Sequence, residues 1–270
     1  MKNKCKLIAE IGWNFIGDMK LAKEMIIAAK ESGADYAKFQ TWSTNDLKSG
    51  AWDNDGRIDL YKKAELSPEK HQELKEYCDK YEIEFLTSVF NKKYFKFLKE
   101  LNLKSIKIAS MEINNKPLID EAKEIYNQVF ISTGATKLSE LEKISNDLKG
   151  EQFVMFHCVS SYPTPAKNVN LPRIDYLKKY FSRIGYSGHY KGVTDAIAAL
   201  DYDVEFIEKH FTIDNNLPGR DNQFSILPQE MKILSDYRDN KEDMNKNLGP
   251  EMQDIELDVH KNMRQRWSKS

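Results

Sequence analysis

The chain has 270 residues, 40% of them hydrophobic, and balances 41 Lys and Arg against 42 Asp and Glu for a formal charge of −1. That length and apolar content suit one large domain or two small ones, and the even charge leaves no basic footprint for nucleic acid. Cys5, Cys78, Cys158 and five scattered histidines lack zinc-type spacing, and no stretch approaches the roughly 20 apolar residues of a membrane span. The odd cysteine count favours reduced thiols, and a carboxylate at Glu10 interrupts any signal-peptide core, so a cytoplasmic protein is expected.

The first element is Leu7–Gly12, an apolar run interrupted by Glu10. Asn14–Asp18 turns into a helix over Lys20–Ser32, with Leu21, Met25, Ile26 and Ala29 on one face and Gly33 as its stop. Tyr36–Gln40 has the buried character of a parallel strand but carries Lys38 in its middle. Thr41–Ser67 is long and polar, and its Trp42 and Trp52 predict an ordered loop over a site. Ser67-Pro68-Glu69 opens a helix, with Ser at the cap and Pro in the first turn, that runs to about Tyr81. Then come strand Glu84–Ser88, helix Lys92–Leu101, strand Ser105–Ile108, a helix opened by Pro117 and strand Val129–Ser132. Helix Lys137–Leu148, strand Phe153–Cys158, a loop with Pro163 and Pro165, and helix Leu171–Tyr180 follow. Strand Arg183–Ser187, helix Gly192–Leu200, strand Val204–Lys209, a Gly219 turn and helix Pro228–Tyr237 complete the pattern. Eight strands alternating with eight helices predict a single-domain (β/α)8 TIM barrel over 1–240. A doubly wound open sheet is the alternative, but no Gly-rich fingerprint follows the first strand. The highly charged residues 241–270 read as a tail or a surface helix.

In a parallel barrel the carboxyl ends of the strands share one face, and active sites sit there. Those ends carry Glu10, Lys38 with Gln40, Thr87 with Ser88, Lys107 with Ser110, Ser132 with Thr133, Ser160, Ser187 with His189, and His210. A lysine inside an apolar strand is costly unless an anion pairs with it. Two of them among hydroxyls suit a phosphate and a carboxylate. His189 and His210 follow adjacent strands, so both imidazoles could ligate one divalent ion and leave positions open to substrate oxygens. Glu10 and Glu112 are carboxylates able to move protons or position a water. The set suggests carbon–carbon bond chemistry between a phosphorylated acid and a carbonyl partner. Condensation, cleavage and isomerisation stay open at this point, and local strand-end hydrogen bonding is the plain alternative for each residue.

Several segments resemble the catalytic domain of the sialic acid synthase family, N-acetylneuraminate synthase with its legionaminate and pseudaminate relatives. They are Ile8-Ala9-Glu10-Ile11-Gly12, Gly33-Ala34-Asp35 with Lys38-Phe39-Gln40-Thr41, Lys107-Ile108-Ala109-Ser110-Met111-Glu112 and Ser132-Thr133-Gly134. The series continues with His157-Cys158, Ser161-Tyr162-Pro163-Thr164-Pro165, Ser187-Gly188-His189 and Glu208-Lys209-His210-Phe211-Thr212, in order over roughly residues 6–238. The resemblance implies a barrel enzyme that condenses phosphoenolpyruvate with an aldose, N-acetylated or otherwise modified, and releases phosphate by C–O cleavage. It implies that His189 and His210 hold a divalent ion at the sugar aldehyde, manganese first, with magnesium and cobalt as alternatives. Lys38, Lys107, Ser110, Ser132, Ser187 and Thr87 fall on phosphoenolpyruvate-binding positions, and Ser160 joins them as a strand-end hydroxyl. Glu10 and Glu112 fall on the catalytic carboxylates, and Gln40, Tyr162 and Asp221 on sugar-side positions. Neither nucleic acid nor membrane is an expected partner, and a homodimer is open.

The departures cluster on the acceptor side. The family's Asn-His-Asn-Gly reads Asn14-Phe15-Ile16-Gly17, and its Ser-Asp-His reads Ser187-Gly188-His189, without the carboxylate beside the metal ligand. Its Gly-Pro-Asp-His reads Gly219-Arg220-Asp221-Asn222, which adds the Arg220 cation to the sugar side. An acceptor other than plain N-acetylmannosamine is therefore expected. Full-size members continue into a small antifreeze-like domain beyond the point where this chain ends. The Thr41–Ser67 segment, with Trp42, Trp52 and Arg57, is expected to close the pocket in its place.

Overall fold

Short apolar runs with a polar residue near each carboxyl end make eight parallel strands: β1 Lys6–Gly12, β2 Tyr36–Thr41, β3 Glu84–Val89, β4 Ser105–Ile108, β5 Gln128–Ser132, β6 Phe153–Cys158, β7 Ile184–Gly188 and β8 Phe206–His210. In the computed structural model, which describes residues 4–50 and 56–267, each strand pairs with the next and β8 pairs with β1. The barrel is closed, as expected of a (β/α)8 chain. Trp52 lies outside the described residues. The helices are α1 Met19–Glu31, α2 Arg57–Ala64, α3 Pro68–Lys80, α4 Phe95–Leu98, α5 Lys116–Ile125, α6 Leu138–Ser145, α7 Arg173–Leu177, α8 Thr194–Ala199, α9 Pro228–Met244 and α10 Leu257–Asn262.

Local chemistry sets the helix starts. Asp18 caps α1 by accepting from the N–H groups of Lys20 at 2.9 Å and Leu21 at 3.1 Å. Ser67 caps α3 by accepting from Lys70 N at 3.3 Å, with Pro68 in the first turn. The helix expected over 92–101 is instead a 3-10 turn, α4 and a second 3-10 turn, stopped by Asn102 at a left-handed φ of 51°. α6 and α7 are shorter than the periodicity suggested, and β8 runs on to include His210. Inside the expected Thr41–Ser67 loop the chain forms α2.

Side chains alternate between the two faces of each strand. One face supplies a layer against the helices, where Leu7, Ile11, Phe39, Phe85, Ile106, Ile131 and Ile207 are buried. The other fills the barrel floor with Ile8, Leu86, Phe130, Val154, Phe156 and Phe206, packed with Tyr36. The Phe130 and Phe206 rings lie 4.8 Å apart and those of Phe130 and Phe156 5.5 Å. Each such ring contributes roughly 1.5–3 kcal/mol by burial, so the floor is a packed plug and the polar face begins above it. One compact unit runs through Arg238; a second begins at Asp239 and contains α10, with Ile255, Val259 and Trp267 exposed. Among the described residues no helix is long and apolar enough to cross a membrane.

Candidate active site

One step above the floor, the same alternation turns Glu10, Lys38, Gln40, Ser88, Lys107, Ser132, Cys158, Ser187 and Glu208 inward, with His189 and His210 at the ends of the last two strands. They line a cavity of about 780 Å³, a volume suited to small-molecule ligands.

Its centre is a buried charge cluster. Lys38 Nζ lies 3.0 Å from Glu10 Oε2 and 3.3 Å from Glu208 Oε2, and donates to Ser88 Oγ at 2.9 Å. Lys107 Nζ lies 3.3 Å from Glu208 Oε2 and 3.4 Å from the centre of the Phe156 ring, yet finds no hydrogen-bond partner among the described residues. Ser187 Oγ donates to Glu208 Oε1 at 2.8 Å, and Gln40 Nε2 to Glu10 Oε1 at 2.6 Å. Burial pushes Glu10 up to about 7, with Lys38 opposing and Glu208 reinforcing the rise. Burial pulls Lys107 down to about 8, against the attraction of Glu208. Burial works to raise Glu208, but Lys107 and Lys38 together hold it well below the usual carboxylate range. Burial likewise opposes the charge on Lys38, and Glu10 and Glu208 outweigh it, leaving Lys38 above its ordinary value. An ammonium group with three donors and no hydrogen bond among the described residues, beside a second ammonium, has the chemistry to receive a further anion.

Hydroxyls gather next to that receptor. Ser110, Ser132 and Ser160 line the cavity. Gly134 N donates to Ser110 Oγ at 3.0 Å. A Cβ on Gly134 would lie 2.2 Å from Ser160 Oγ and 2.9 Å from both Ser110 Oγ and Cys158 Sγ, so only glycine lets these groups converge.

The two imidazoles stand side by side, with ring centroids 5.5 Å apart. Nδ1 of His189 is 2.7 Å from the carbonyl of Val159, so that nitrogen carries the proton and Nε2 keeps its lone pair. Burial pulls His189 down to about 4 and holds His210 well below its ordinary value, so both rings are neutral, as ligation requires. His210 Nδ1 is buried without a hydrogen-bond partner among the described residues, and Asp221 Oδ2 is 3.8 Å away. An orphaned ring nitrogen beside a second neutral imidazole fits a divalent ion. Among the described residues no group of three or more His, Cys, Asp or Glu side chains is placed to hold a metal, so an ion bound here would have only the two imidazoles as protein ligands of that kind.

The rim is built from α2 and from the loops after β1, β6 and β8. Arg57, Leu60 and Tyr61 of α2 line the cavity, and Tyr61 packs its ring edge-on against Trp13 at 5.4 Å and Trp42 at 6.0 Å. Of the segment expected to close the pocket, Arg57, Leu60 and Tyr61 line it, Trp42 stands behind Tyr61, and Trp52 lies outside the described residues. Tyr162 lies against His189 with centroids 4.2 Å apart, and Arg220 Nη2 donates to its carbonyl at 3.3 Å. Burial pushes Asp221 up to about 6, opposed by a hydrogen bond from Trp13 and by Arg220 and Arg57. Asn222 is fully buried: its Nδ2 donates to the Asn14 carbonyl at 3.0 Å, while Asn14 Nδ2 donates to the Phe211 carbonyl at 2.8 Å and Ser225 Oγ at 2.9 Å.

Two expected residues stand apart from the cavity. Thr87 lies on the outward face of β3, one residue from the inward Ser88, and its hydroxyl meets Thr41 Oγ1 at 2.7 Å. His71 Nδ1 donates to the Ser67 carbonyl at 2.9 Å, so Thr41 must donate to His71 Nε2 at 2.8 Å and accept from Thr87. The only proton on Thr87 is therefore committed inside the helix layer. Glu112 sits half-buried on the turn after β4, where it accepts from Asn115 Nδ2 at 2.6 Å and does not join the lining. Sequence reasoning passed over Glu208, whose position two residues before His210 on one strand face was the available signal, and over Cys158 and Trp13 as lining residues.

The remaining expected residues, Glu10, Lys38, Lys107, Ser110, Ser132, Ser160, Ser187, Gln40, Tyr162, Arg220, Asp221, His189 and His210, share the one cavity. Relatives carry the same barrel. The N,N'-diacetyllegionaminic acid synthase of Campylobacter jejuni is 36% identical over 249 residues, covering 86% of this chain and 74% of that one. The enzyme of the same name from Legionella pneumophila is 36% identical, covering 85% and 70%. The crystal structure of N-acetylneuraminic acid synthetase from Leptospira borgpetersenii superposes with a TM-score of 0.83 at 32% identity, over 98% of this chain and 94% of that one. The NeuB family profile matches residues 25–249. With most of its length matched and its relatives covered to this extent, the chain belongs to the NeuB family.

Proposed function

We propose that this protein condenses phosphoenolpyruvate with an aldose to form a nonulosonic acid, releasing phosphate. The observation that carries the reading is the single cavity in which two buried lysines and a cluster of serines face a neutral imidazole pair across Glu10 and Glu208. Lys38 and Lys107 bind the phosphate and carboxylate of phosphoenolpyruvate, with Ser110, Ser132, Ser160 and Ser187 as directional donors. Lys107, whose contact with Glu208 at 3.3 Å is an ion pair without a hydrogen bond among the described residues, has donors to offer the anion.

His189 and His210 hold a divalent ion, manganese before magnesium or cobalt. When bound, that ion supplies Lewis-acid polarisation of the aldehyde carbonyl. Gln40, Tyr162, Arg220 and Asp221 place the acceptor sugar, and α2 excludes water from one side of it. The enol C3 attacks the aldehyde carbon, the aldehyde oxygen takes up a proton, and water adds at C2. Phosphate then leaves with the bridging oxygen. Glu10, pushed up to about 7 between Lys38 and Gln40, is poised to take up or release a proton near neutral pH. Glu112, the other carboxylate of the family pattern, stands off the cavity lining on the turn after β4, held by Asn115, and takes no step in this scheme. The cytoplasm, where phosphoenolpyruvate is made, is the location this reading implies.

The test is phosphate release from phosphoenolpyruvate against a panel of N-acetylated and otherwise modified aldoses. Phosphoenolpyruvate labelled with ¹⁸O at the bridging position should deliver its label to phosphate. Label kept in the sugar acid, or no release with any aldose, would overturn the proposal.

A further inference from the structure

Directly behind the imidazole pair lies a fully buried ion pair that the reaction does not use. Ser187 and His189 face the cavity, so Tyr186 and Gly188 face the helix layer, and Lys209 does the same between Glu208 and His210. Lys209 is 2% exposed and Asp195, on α8, 6%. Lys209 Nζ donates to both oxygens of Asp195 at 2.9 Å and to the carbonyl of Tyr190 at 2.7 Å, which uses all three of its donors. Tyr186 donates its hydroxyl to Asp195 Oδ2 at 2.8 Å. The carboxylate reaches this place only because residue 188 is glycine: a Cβ there would lie 2.2 Å from Asp195 Oδ2 and 2.8 Å from the Tyr186 ring.

The connectivity matters more than the burial. Lys209 immediately precedes His210, and the carbonyl it holds belongs to Tyr190, immediately after His189. One ammonium group therefore ties the backbone of one imidazole to the strand of the other, and Asp195 holds that ammonium in place. Stability alone is a weak reason to keep such a pair, because a buried ion pair replaced whole by apolar residues often leaves a fold equally stable.

We propose that Asp195 and Lys209 are positioning residues for the His189–His210 pair, setting the separation of the two rings for a divalent ion. The proposal rests on the reading of that pair as metal ligands.

The test is isothermal titration with Mn²⁺ alone on wild type and on Asp195→Leu/Lys209→Met, which removes both charges together and so avoids stranding one of them. The double variant should melt within a few degrees of wild type and keep its KM for phosphoenolpyruvate. Its Mn²⁺ affinity should fall about 10–100-fold, the usual effect of losing a group that orients a ligand, and kcat should fall with it. Gly188→Ala, which drives the carboxylate out of its seat, should weaken Mn²⁺ binding as well. A folded double variant with wild-type Mn²⁺ affinity would overturn the proposal. So would a parallel collapse of melting temperature and phosphoenolpyruvate affinity, which would mark the pair as scaffolding. A wild type that binds no divalent ion would overturn both this proposal and the reading of the imidazole pair beneath it.

Discussion

Replacing Glu208 by Gln removes one negative charge from between two buried ammonium groups and leaves the side chain's shape almost unchanged. Glu208 Oε2 is 3.3 Å from both Lys38 Nζ and Lys107 Nζ, and the two lysines are 3% and 1% exposed. At an effective dielectric of about 20, each contact is worth roughly 5 kcal/mol of gross attraction. Desolvation offsets much of that. Removing one member of a buried ion cluster typically costs about 3–5 kcal/mol, because it strands the charges left behind. We expect Glu208→Gln to lose that much in urea unfolding at neutral pH.

The same variant should respond more strongly than wild type to an anion. With Glu208 neutral, a bound phosphate or phosphoenolpyruvate becomes the main counter-charge to Lys107, so each should raise the urea midpoint further than in wild type. A ligand at 100 times its Kd adds about 2.7 kcal/mol at one site, enough to compare the two proteins directly. A variant with a wild-type midpoint would show that the lysines do not depend on Glu208. A destabilised variant that gains no more from phosphoenolpyruvate than wild type would refute the assignment of the lysines as the anion receptor.

Glu10→Gln tests the titration beside it. The Glu10 carboxyl is raised from 4.5 to about 7, so its contribution is fully present below pH 4.5 and disappears as pH rises through 7; that is about 3 kcal/mol at 1.4 kcal/mol per pH unit. Wild type should lose stability relative to Glu10→Gln across that window, and parallel urea midpoints from pH 4.5 to 8 would refute it. Lys38→Ala and Lys107→Ala should each weaken phosphoenolpyruvate by about 1.5–3 kcal/mol, read as a raised KM or lost turnover. An unchanged KM and rate would remove that lysine from the site. His189→Ala and His210→Ala should lose Mn²⁺ affinity and kcat together while keeping the fold by circular dichroism, and full turnover in chelator-treated wild type would count against any metal role. Ser88→Ala should alter the KM for phosphoenolpyruvate through Lys38, whereas Thr87→Val should lower the melting temperature and leave that KM alone; the opposite pattern would reverse the facing of β3.

The eight strands and most of the site were legible because a parallel barrel imposes two simple rules: strands end on one face, and alternate residues point inward. Lysines at 38 and 107 stood out because an unpaired charge inside an apolar strand is too costly to be accidental. Thr87 failed by one residue, which in a strand reverses the facing completely. Leu86 already belonged to the barrel floor, and counting two from it would have chosen Ser88. Glu112 lies on a turn where the alternation no longer applies, so its direction could not be read from its neighbours. α2 was hidden for a different reason: half of Arg57–Ala64 is charged, and the rings that hold Tyr61 come from Trp13 and Trp42, outside the helix. Asp195 was beyond reach because its partner Lys209 is 14 residues away on another element.

These two kinds of legibility divide the cavity into parts that can vary differently. The lysines, serines and imidazoles sit on strands, or one or two residues past them, where register fixes each one against two neighbours. The residues that differ from the sialic acid synthase pattern sit mostly on the loops after β1 and β8. Those loops are joined by Asn222 donating to Asn14 and by Asn14 donating across to Phe211 and Ser225. A change in either loop therefore disturbs buried amides in the other, each costing about 1–3 kcal/mol if left unpaired. The two loops are better understood as one unit that carries Trp13, Arg220 and Asp221 to the rim together. In the proposed reaction, exchanging Arg220 alone retunes the acceptor site, while moving it to another sugar requires exchanging both loops at once. Gly188 follows the same logic inside the barrel wall, since a side chain returned there has no room until Asp195 leaves.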